Sequence, residues 1–218
     1  MRKTINPTAE NYSALTKAYS HFNLALFKQA LPFCLITLQR KGGTYGYFAG
    51  SRFGDTDGKN VTDEIAINPS HFKSRTAEQV LSTLVHEMVH LWQHHFGKIS
   101  RAGYHNKEWA SKMKEIGLVP SSTGSEGGKE TGQKVSHYIQ GGGTFALSCA
   151  DLLADGFVLP YVEMWDDAKV KRSKAKVKTK YTCPSCGTNA WGKSELKIIC
   201  ADCDEIMIWE ESKDVDDD

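Results

Sequence analysis

A pair of histidines one helical turn apart constrains this 218-residue chain more than any other feature of its sequence. His86 and His90 enclose Glu87 in a segment of helical periodicity, which we predict to run from Thr76 to about Phe96. Its first residues form the capping-box pattern that marks helix starts, and a glycine follows the last one. A helix must therefore carry the pair, and the rest of the chain must pack around that helix.

The apolar residues of this predicted helix lie within an arc of about 140°, and the two histidines lie together on the opposite side. The arc comprises Val80, Leu81, Leu84, Val85, Met88, Leu91 and Trp92. Two imidazoles at i and i+4 can bind one metal ion, and only about 0.02 chance matches to the HExxH motif are expected in this composition. We therefore predict that His86 and His90 bind zinc. Glu87 is then the general base that takes a proton from a zinc-bound water as this attacks a carbonyl carbon.

A catalytic zinc ion needs a third protein ligand, and three residues are candidates. His94 lies on the same helix about 12 Å along the axis from His86, which is too far for the two to share an ion. His105 precedes the next predicted helix and could fold back over the site. Glu108, three residues later, would serve if the third ligand were a downstream glutamate. The residues by themselves leave His105 and Glu108 open.

A group that stabilises negative charge on the attacked carbonyl oxygen is also needed. His137 and Tyr138 lie on a short predicted strand beside a run of glycines, and either could donate a hydrogen bond to that oxygen. An ordinary exposed strand explains these two residues equally well.

The remaining periodic segments predict an α+β fold in which helices flank a small mixed or antiparallel sheet. Helices are predicted at residues 8–31, 76–96 and 106–117, and strands at 33–39, 44–49, 63–68 and 135–139. Residues 121–132 are small and polar, which predicts a long surface loop.

Four of the six cysteines form a C-x2-C-x13-C-x2-C pattern near the C-terminal end. They are Cys183, Cys186, Cys200 and Cys203. In a reducing compartment this spacing indicates a metal site rather than disulfides. Four thiolates close the coordination sphere of zinc, so we predict a second, structural zinc ion that supplies folding energy to this short segment. Cys34 and Cys149 stand apart and are predicted to be buried small residues.

Charge is polarised near the same end, although the whole chain has 27 basic and 26 acidic residues. Residues 169–180 carry seven Lys and Arg and no acid, whereas residues 201–218 carry nine acids and one Lys. Cations that neutralise phosphates and aromatic rings that stack on unpaired bases together favour single-stranded nucleic acid. The candidate contacts are Lys171, Arg172, Lys174, Lys176, Trp191 and Trp209. A solvated linker and an aromatic cover over the zinc site are the structural alternative, and the acidic tail would compete with phosphates for the cations.

No apolar run approaches the ~20 residues that a membrane span needs. No apolar stretch follows the basic residues near the N-terminus, as one would in a secretory signal. The sequence therefore predicts a soluble, cytoplasmic protein that is not secreted and has no membrane partner.

The order of these motifs resembles the SprT-like, Spartan-related family of zinc metallopeptidases. The resemblance covers most of residues 15–210 and rests on the segments LPFCLITLQ, IAINP, LVHEMVHLWQ, GYHNKEW and CPSC…CADC. It implies a zincin-like peptidase domain with HExxH on a central helix, followed by a four-cysteine zinc ribbon. It also implies that His105, just ahead of the helix that bears Trp109, completes the catalytic zinc site, which favours His105 over Glu108.

The resemblance further implies cleavage of proteins bound or crosslinked to DNA, a role in DNA repair, and single-stranded or partly single-stranded DNA as a partner. The expected location is then the nucleoid, or the nucleus in a eukaryote. The corresponding division of the chain is a peptidase domain at 1–168, a basic linker at 169–180, a zinc ribbon at 181–210 and an acidic tail at 211–218. Two other functions stay open: a non-catalytic, DNA-associated zinc-binding module, which has no need of Glu87, and a zinc amidase that acts on small substrates.

Overall fold

A computed structural model describes residues 6–164 and 179–209 of the chain. The chain divides into two compact units, Met1–Met164 and Trp165–Asp218. None of the described helices is long and apolar enough to cross a membrane.

Part of the predicted nucleic-acid contact lies outside the described residues. This holds for Lys171, Arg172, Lys174 and Lys176, and for the acidic tail at 211–218. Trp191 and Trp209 lie within the described part of the second unit.

The first unit contains a three-stranded mixed sheet. Its strands are β1 (Leu35–Leu38), β2 (Gly46–Gly54) and β3 (Val61–Ile67). The strand order is β1-β3-β2, with β1 parallel and β2 antiparallel to β3. The mixed sheet expected from the sequence is therefore present, and β2 forms one of its edges.

Four helices and a β-hairpin complete the first unit. The helices are α1 (Pro7–Phe27), α2 (Ala77–Phe96), α3 (Lys107–Glu115) and α4 (Thr144–Ala154), and the antiparallel hairpin consists of β4 (Leu118–Ser121) and β5 (Ser136–Ile139). A short 3-10 helix, Pro69–His71, follows β3. The unit is thus an α+β structure, in agreement with the sequence prediction.

Helix α2 has the ends and the apolar face that its sequence predicts. The side chain of Thr76 accepts a hydrogen bond from the Gln79 backbone, and the side chain of Gln79 accepts one from the Thr76 backbone, so the capping box is formed. Val85 and Met88 are completely buried in the core, together with residues of α1, α3, α4 and β3. Burial of this face fixes the direction in which the other face of α2 points.

The main differences from the sequence prediction are the end of α1 and two additional elements. Helix α1 ends at Phe27 rather than near residue 31, because Lys28 and Gln29 adopt left-handed conformations and the Asn23 side chain bonds both backbone groups of Leu31. Helix α4 and strand β4 were not predicted. Residues 122–131 consist of turns and irregular structure, as predicted for the segment 121–132, whereas Ser121 ends β4 and Gly132 forms an isolated bridge with His105.

The second unit is a set of short antiparallel strands around a small core. Its strands are β6 (Thr179–Thr182), β7 (Asn189–Gly192), β8 (Ile199–Cys200), β9 (Glu205–Ile206) and β10 (Ile208–Trp209). They form one sheet of order β10-β6-β7 and one two-stranded pair, β8-β9. The buried core consists of Tyr181, Cys183, Cys200 and Met207.

Candidate functional site

The structure brings three histidines of the first unit together. His86 and His90 extend from α2, and His105 lies in the segment that enters α3. One ring nitrogen from each of them lies within 4.8 Å of those of the other two. The Nε2 atoms of His90 and His105 are 3.2 Å apart, close to the roughly 3.3 Å that separates two nitrogens each about 2.0 Å from one tetrahedral ion. These three side chains could hold one metal ion.

His105 is fixed in place from both sides. Its backbone N–H and C=O pair with Gly132 at 2.8 and 3.1 Å, which forms an isolated antiparallel bridge. Its ring Nδ1 lies 3.1 Å from the Gly132 carbonyl oxygen, so Nδ1 carries the proton and Nε2 presents its lone pair. The buried ring of Trp109 packs against all three imidazoles, with centroids 4.3 to 5.2 Å away.

A chain of hydrogen bonds also sets the protonation of His86. The Ser82 hydroxyl donates to the Gln79 carbonyl at 2.9 Å, and it accepts from His137 Nε2 at 2.9 Å. In a neutral ring His137 Nδ1 is then the acceptor for His86 Nδ1–H, 3.1 Å away. The Nε2 atom of His86 is left with a free lone pair, which is the form that binds metal.

Burial keeps these rings neutral. It is the main cause that holds the pKa of His86 well below its usual range, followed by the neighbouring imidazoles of His137, His90 and His105. Burial likewise lowers the pKa of His90 to about 3 and that of His137 to about 4. The pKa of His105 is lowered by burial and raised in part by its bond to Gly132. The donor set therefore fits a divalent transition metal that binds neutral imidazole.

Glu87 lies at the same place without a partner of its own. Its side chain is almost completely buried, and its carboxyl group makes no hydrogen bond to any described residue. Burial raises its pKa to about 8. Strand β2 passes close to it at Gly46. A Cβ added to this glycine would lie 3.3 Å from Glu87 Oε1 and 2.8 Å from the backbone oxygen of Ala66. A buried carboxyl group without a protein partner is suited to bind a molecule in the adjoining cavity.

The three histidines and Glu87 line a cavity of about 700 Å³. Its walls are residues 43–48 of β2 and the preceding turn, residues 99–105, and residues 133–137 at the start of β5. The cavity is open to solvent, so a ligand larger than water can reach the histidines.

Three residues considered from the sequence lie elsewhere. Glu108 accepts hydrogen bonds from Gln93 Nε2 at 2.9 Å and from the Lys98 backbone at 2.6 Å, and it is not part of the histidine cluster. Tyr138 follows His137 on β5, so it points to the other face of the hairpin and lines a different cavity. His94 lies beside Asp63 and not beside His86.

Sequence reasoning missed two parts of this site. Ser82 could have been found, because it lies four residues before His86 on the same helical face. Gly132 gives no such signal, since its contribution is a backbone carbonyl at the end of an irregular loop. The sequence predicts His137 as a candidate for stabilising the carbonyl oxygen. In the structure both nitrogens of its ring are instead hydrogen-bonded to His86 and Ser82.

The four cysteines of the second unit also form a cluster. Their sulfur atoms lie within 4.8 Å of one another, and Cys186 Sγ is 3.7 Å from Cys200 Sγ. Cys183 follows β6 and Cys200 ends β8, and each begins a tight turn that returns the chain to the second cysteine of its pair. These thiols could hold one metal ion with four sulfur ligands.

The two tryptophans of the second unit differ in exposure. Trp191 on β7 is 60% exposed, whereas Trp209 is half-buried and packs against the core beside Tyr181. Trp191 alone of the two presents most of its ring to solvent.

The first unit thus has a candidate metal centre in an open cavity: a helical histidine pair, a third histidine from the following segment and a buried glutamate. Comparison with known proteins gives its family. The sequence model of the SprT-like family matches residues 15–131, which is more than half of the chain and includes all three histidines. The chain therefore belongs to the SprT-like family, whose members have a zinc-metallopeptidase-like domain.

Part of the chain is also similar to a shorter protein. An uncharacterised protein encoded in the mucB 3' region of Salmonella typhimurium is 47% identical over 66 residues, which are 30% of this chain and 89% of that protein. No solved structure matches the chain.

The geometry predicts which side chain is the third metal ligand. His105→Ala should lower the zinc content of the purified chain by one equivalent, because only two imidazoles of the ligand cluster then remain. Metal analysis after dialysis measures this content. Glu108→Ala is the matched control and should keep the wild-type content; the reverse result would make Glu108 the ligand.

Proposed function

We propose that the first unit is a zinc-dependent endopeptidase of the zincin-like kind in which Glu87 is the general base. The observation that carries the proposal is the buried, unpartnered carboxyl group of Glu87 beside three neutral imidazoles in an open cavity. A module that only binds metal has no need of a buried carboxyl group there, since leaving it without a hydrogen bond destabilises the fold.

The residues divide the chemistry between them. His86, His90 and His105 would hold the zinc ion, which supplies Lewis-acid chemistry by polarising the attacked carbonyl and making water easier to deprotonate. Glu87 takes the proton from the attacking water and returns it to the amine nitrogen of the broken peptide bond. With a cation held by the three histidines, Glu87 would be ionised despite its burial, and its carboxylate would be ready to accept that proton.

The edge of the sheet supports a peptide as the substrate. Among the described residues β2 pairs only with β3, and residues 46–48 of β2 line the cavity. The backbone N–H and C=O groups on the other side of β2 can therefore pair with an extended chain that lies along the cavity. A small-molecule amidase would not need such an edge, which favours the endopeptidase over the amidase.

His137 has a positioning role in this proposal. Its Nδ1 accepts a hydrogen bond from His86 Nδ1–H, and its Nε2–H donates to the buried Ser82 hydroxyl, which holds the His137 ring in this orientation. Groups that bind the outer nitrogen of a metal-ligating histidine fix its tautomer and strengthen its bond to the metal. We assign His137 to this role instead of stabilisation of the carbonyl oxygen.

The second unit is proposed as a zinc ribbon that contacts DNA. Four sulfur atoms within one cluster leave no open position on a tetrahedral ion, so this zinc would be structural. The exposed ring of Trp191 offers a stacking surface for an unpaired base, and the basic segment at 169–180 precedes the unit in sequence. The proposed substrates are proteins bound or crosslinked to DNA, which places the activity in DNA repair.

Glu87→Gln should abolish hydrolysis and leave metal content unchanged. The amide cannot accept a proton, so we expect a rate at least about 10²-fold lower, while the three imidazoles are untouched. The assay follows cleavage of a DNA-binding protein by the zinc-loaded chain with and without single-stranded DNA. Glu78→Gln in the first turn of the same helix is the matched control and should cleave like the wild type.

The outcomes of this assay separate the candidate functions. Cleavage only with DNA supports the DNA-dependent endopeptidase, and cleavage without DNA contradicts the DNA requirement alone. Equal cleavage by wild type and Glu87→Gln would reject the role of Glu87. Absence of cleavage by a zinc-loaded wild type would favour the non-catalytic module.

His137→Ala should weaken zinc binding at the cavity by about 10- to 100-fold, because His86 loses the acceptor for its Nδ1 proton. His137→Asn should restore most of this affinity, since its amide oxygen can take the place of ring Nδ1. Competition with a chelator measures the affinity, and the absorption spectrum of the cobalt-loaded chain reports the ligand geometry. An unchanged affinity and spectrum in His137→Ala would show that the role is absent.

Trp191→Ala should weaken binding of single-stranded DNA by about 5- to 150-fold, which corresponds to the roughly 1–3 kcal/mol of one stacked base. Ile206→Ala is the control, because Ile206 is 63% exposed in the same unit but cannot stack. Fluorescence anisotropy with a labelled oligonucleotide measures both affinities. Equal effects of the two substitutions would place the DNA contact elsewhere.

A further inference from the structure

A second group of candidate metal-ligating side chains lies at the C-terminal end of α2. His94 and His95 occupy the last turn of this helix, and Asp63 lies on the neighbouring strand β3. One ligand atom from each of the three lies within 4.8 Å of the others. His94 is one turn beyond His90, about 6 Å further along the axis, so the group is separate from the peptidase site.

The donor atoms lie close to the spacing of ligands around one ion. Asp63 Oδ2 is 2.7 Å from His95 Nε2, and Asp63 Oδ1 is 3.7 Å from His94 Nε2. Ligand atoms that are each about 2.1 Å from a metal ion lie about 3.0 to 3.4 Å apart in octahedral or tetrahedral geometry. The two distances lie on either side of this range, so each histidine is within a few tenths of an ångström of ligand spacing from the carboxylate, and the two imidazole donors lie within 4.8 Å of each other.

A hydrogen-bonded pair explains only part of this arrangement. His95 is close enough to Asp63 to form a hydrogen bond with it. The Nε2 atom of His94 points toward the same carboxylate from 3.7 Å, which is too long for a hydrogen bond. A metal ion between the three side chains would use the second imidazole as well as the first.

The surrounding backbone holds the carboxylate in a defined orientation. Asp63 is only 5% exposed, and its Oδ1 accepts a hydrogen bond from the Ser51 backbone at 2.7 Å. Ser51 has a left-handed conformation with φ 53° in a bulge of β2, where the pairing with β3 shifts between Ala49 and Phe53. Gly50 in the same bulge has no room for a Cβ, which would lie 2.6 Å from the His94 ring.

The electrostatics of Asp63 favour a cation. Although burial raises its pKa, the Ser51 N–H and the two histidines outweigh this effect, so the pKa of Asp63 lies below its ordinary value. A buried carboxylate and two imidazoles are a donor set that suits zinc and other divalent transition metals, which leave further positions for water. We propose that Asp63, His94 and His95 bind such an ion, in addition to the two zinc ions of the proposed peptidase and ribbon sites.

The ion would join three elements that meet at this end of α2. It would connect the last turn of α2 to β3 and would hold the β2 bulge, which contacts both Asp63 and His94. The earlier part of β2 lines the cavity at Gly46, Tyr47 and Phe48. The site is therefore placed to stiffen the edge strand beside the cavity without contributing a ligand to the catalytic ion.

Zinc stoichiometry tests the proposal on the full chain. The metal-free protein is dialysed against buffered zinc, and its metal content is measured. The double variant His94→Gln/His95→Gln should bind one equivalent less than the wild type. The matched control His21→Gln/His71→Gln changes two histidines outside the cluster and should bind the wild-type amount.

A second variant distinguishes loss of the metal ion from loss of the fold. Asp63→Asn keeps an oxygen that can accept the Ser51 hydrogen bond but removes the charge, so it should also lose one equivalent while circular dichroism stays unchanged. Equal zinc content in the wild type and in both cluster variants would overturn the proposal.

The experiment is independent of the peptidase proposal. His105→Ala removes a different equivalent, so a His105→Ala chain should lose a further one when His94 and His95 are replaced. A chain that binds the ion at Asp63 but does not cleave proteins would support this site and contradict the peptidase. A chain that cleaves proteins and binds no ion at Asp63 would support the peptidase and contradict this site.

Discussion

The bridge between His105 and Gly132 is the contact on which the candidate metal centre depends. Helix α2 can present only two imidazoles to one ion, because residues a further turn along lie too far away. The third imidazole must come from another segment, and backbone pairing with Gly132 holds that segment in place. The same carbonyl then orients the His105 ring through Nδ1. The loop at 121–132 is therefore part of the site, although none of its side chains belongs to the histidine cluster.

Local chemistry explains which parts of the fold could be predicted from the sequence. The start of α2 was predictable because Thr76 and Gln79 form the capping box with each other. Helix α4 begins at Gly143 without any side-chain cap, so its start carries no such signal. Strand β4 contains Pro120, which argues against a strand in a sequence pattern but is tolerated at a hairpin edge. The features that were missed depend on tertiary contacts rather than on neighbouring residues.

In the candidate site, too, some features follow from neighbouring residues and others from tertiary contacts. The HExxH spacing predicts which two helical histidines share a face, whereas the choice between His105 and Glu108 came from family resemblance. The structure gives the physical reason for that choice: Glu108 is engaged by Gln93 and by the Lys98 backbone, and His105 is directed into the cavity. The position of His137 behind His86 follows from the register of the β4-β5 hairpin, which no periodicity in the sequence reveals.

The four-cysteine unit depends on a different kind of stabilisation. Its described core has four buried residues, and two of these are cysteines of the metal cluster. Several of its large apolar side chains remain about 60% exposed, among them Trp191, Ile199 and Ile208. A segment this short does not bury enough apolar surface to fold by that means alone, so metal binding at the thiols would supply the missing free energy. If the unit folds only with metal, the stacking surface that we propose for Trp191 exists only in the metal-loaded chain. The proposed recruitment to DNA would then depend on zinc supply, although a four-thiolate zinc ion would take no part in the proposed hydrolysis.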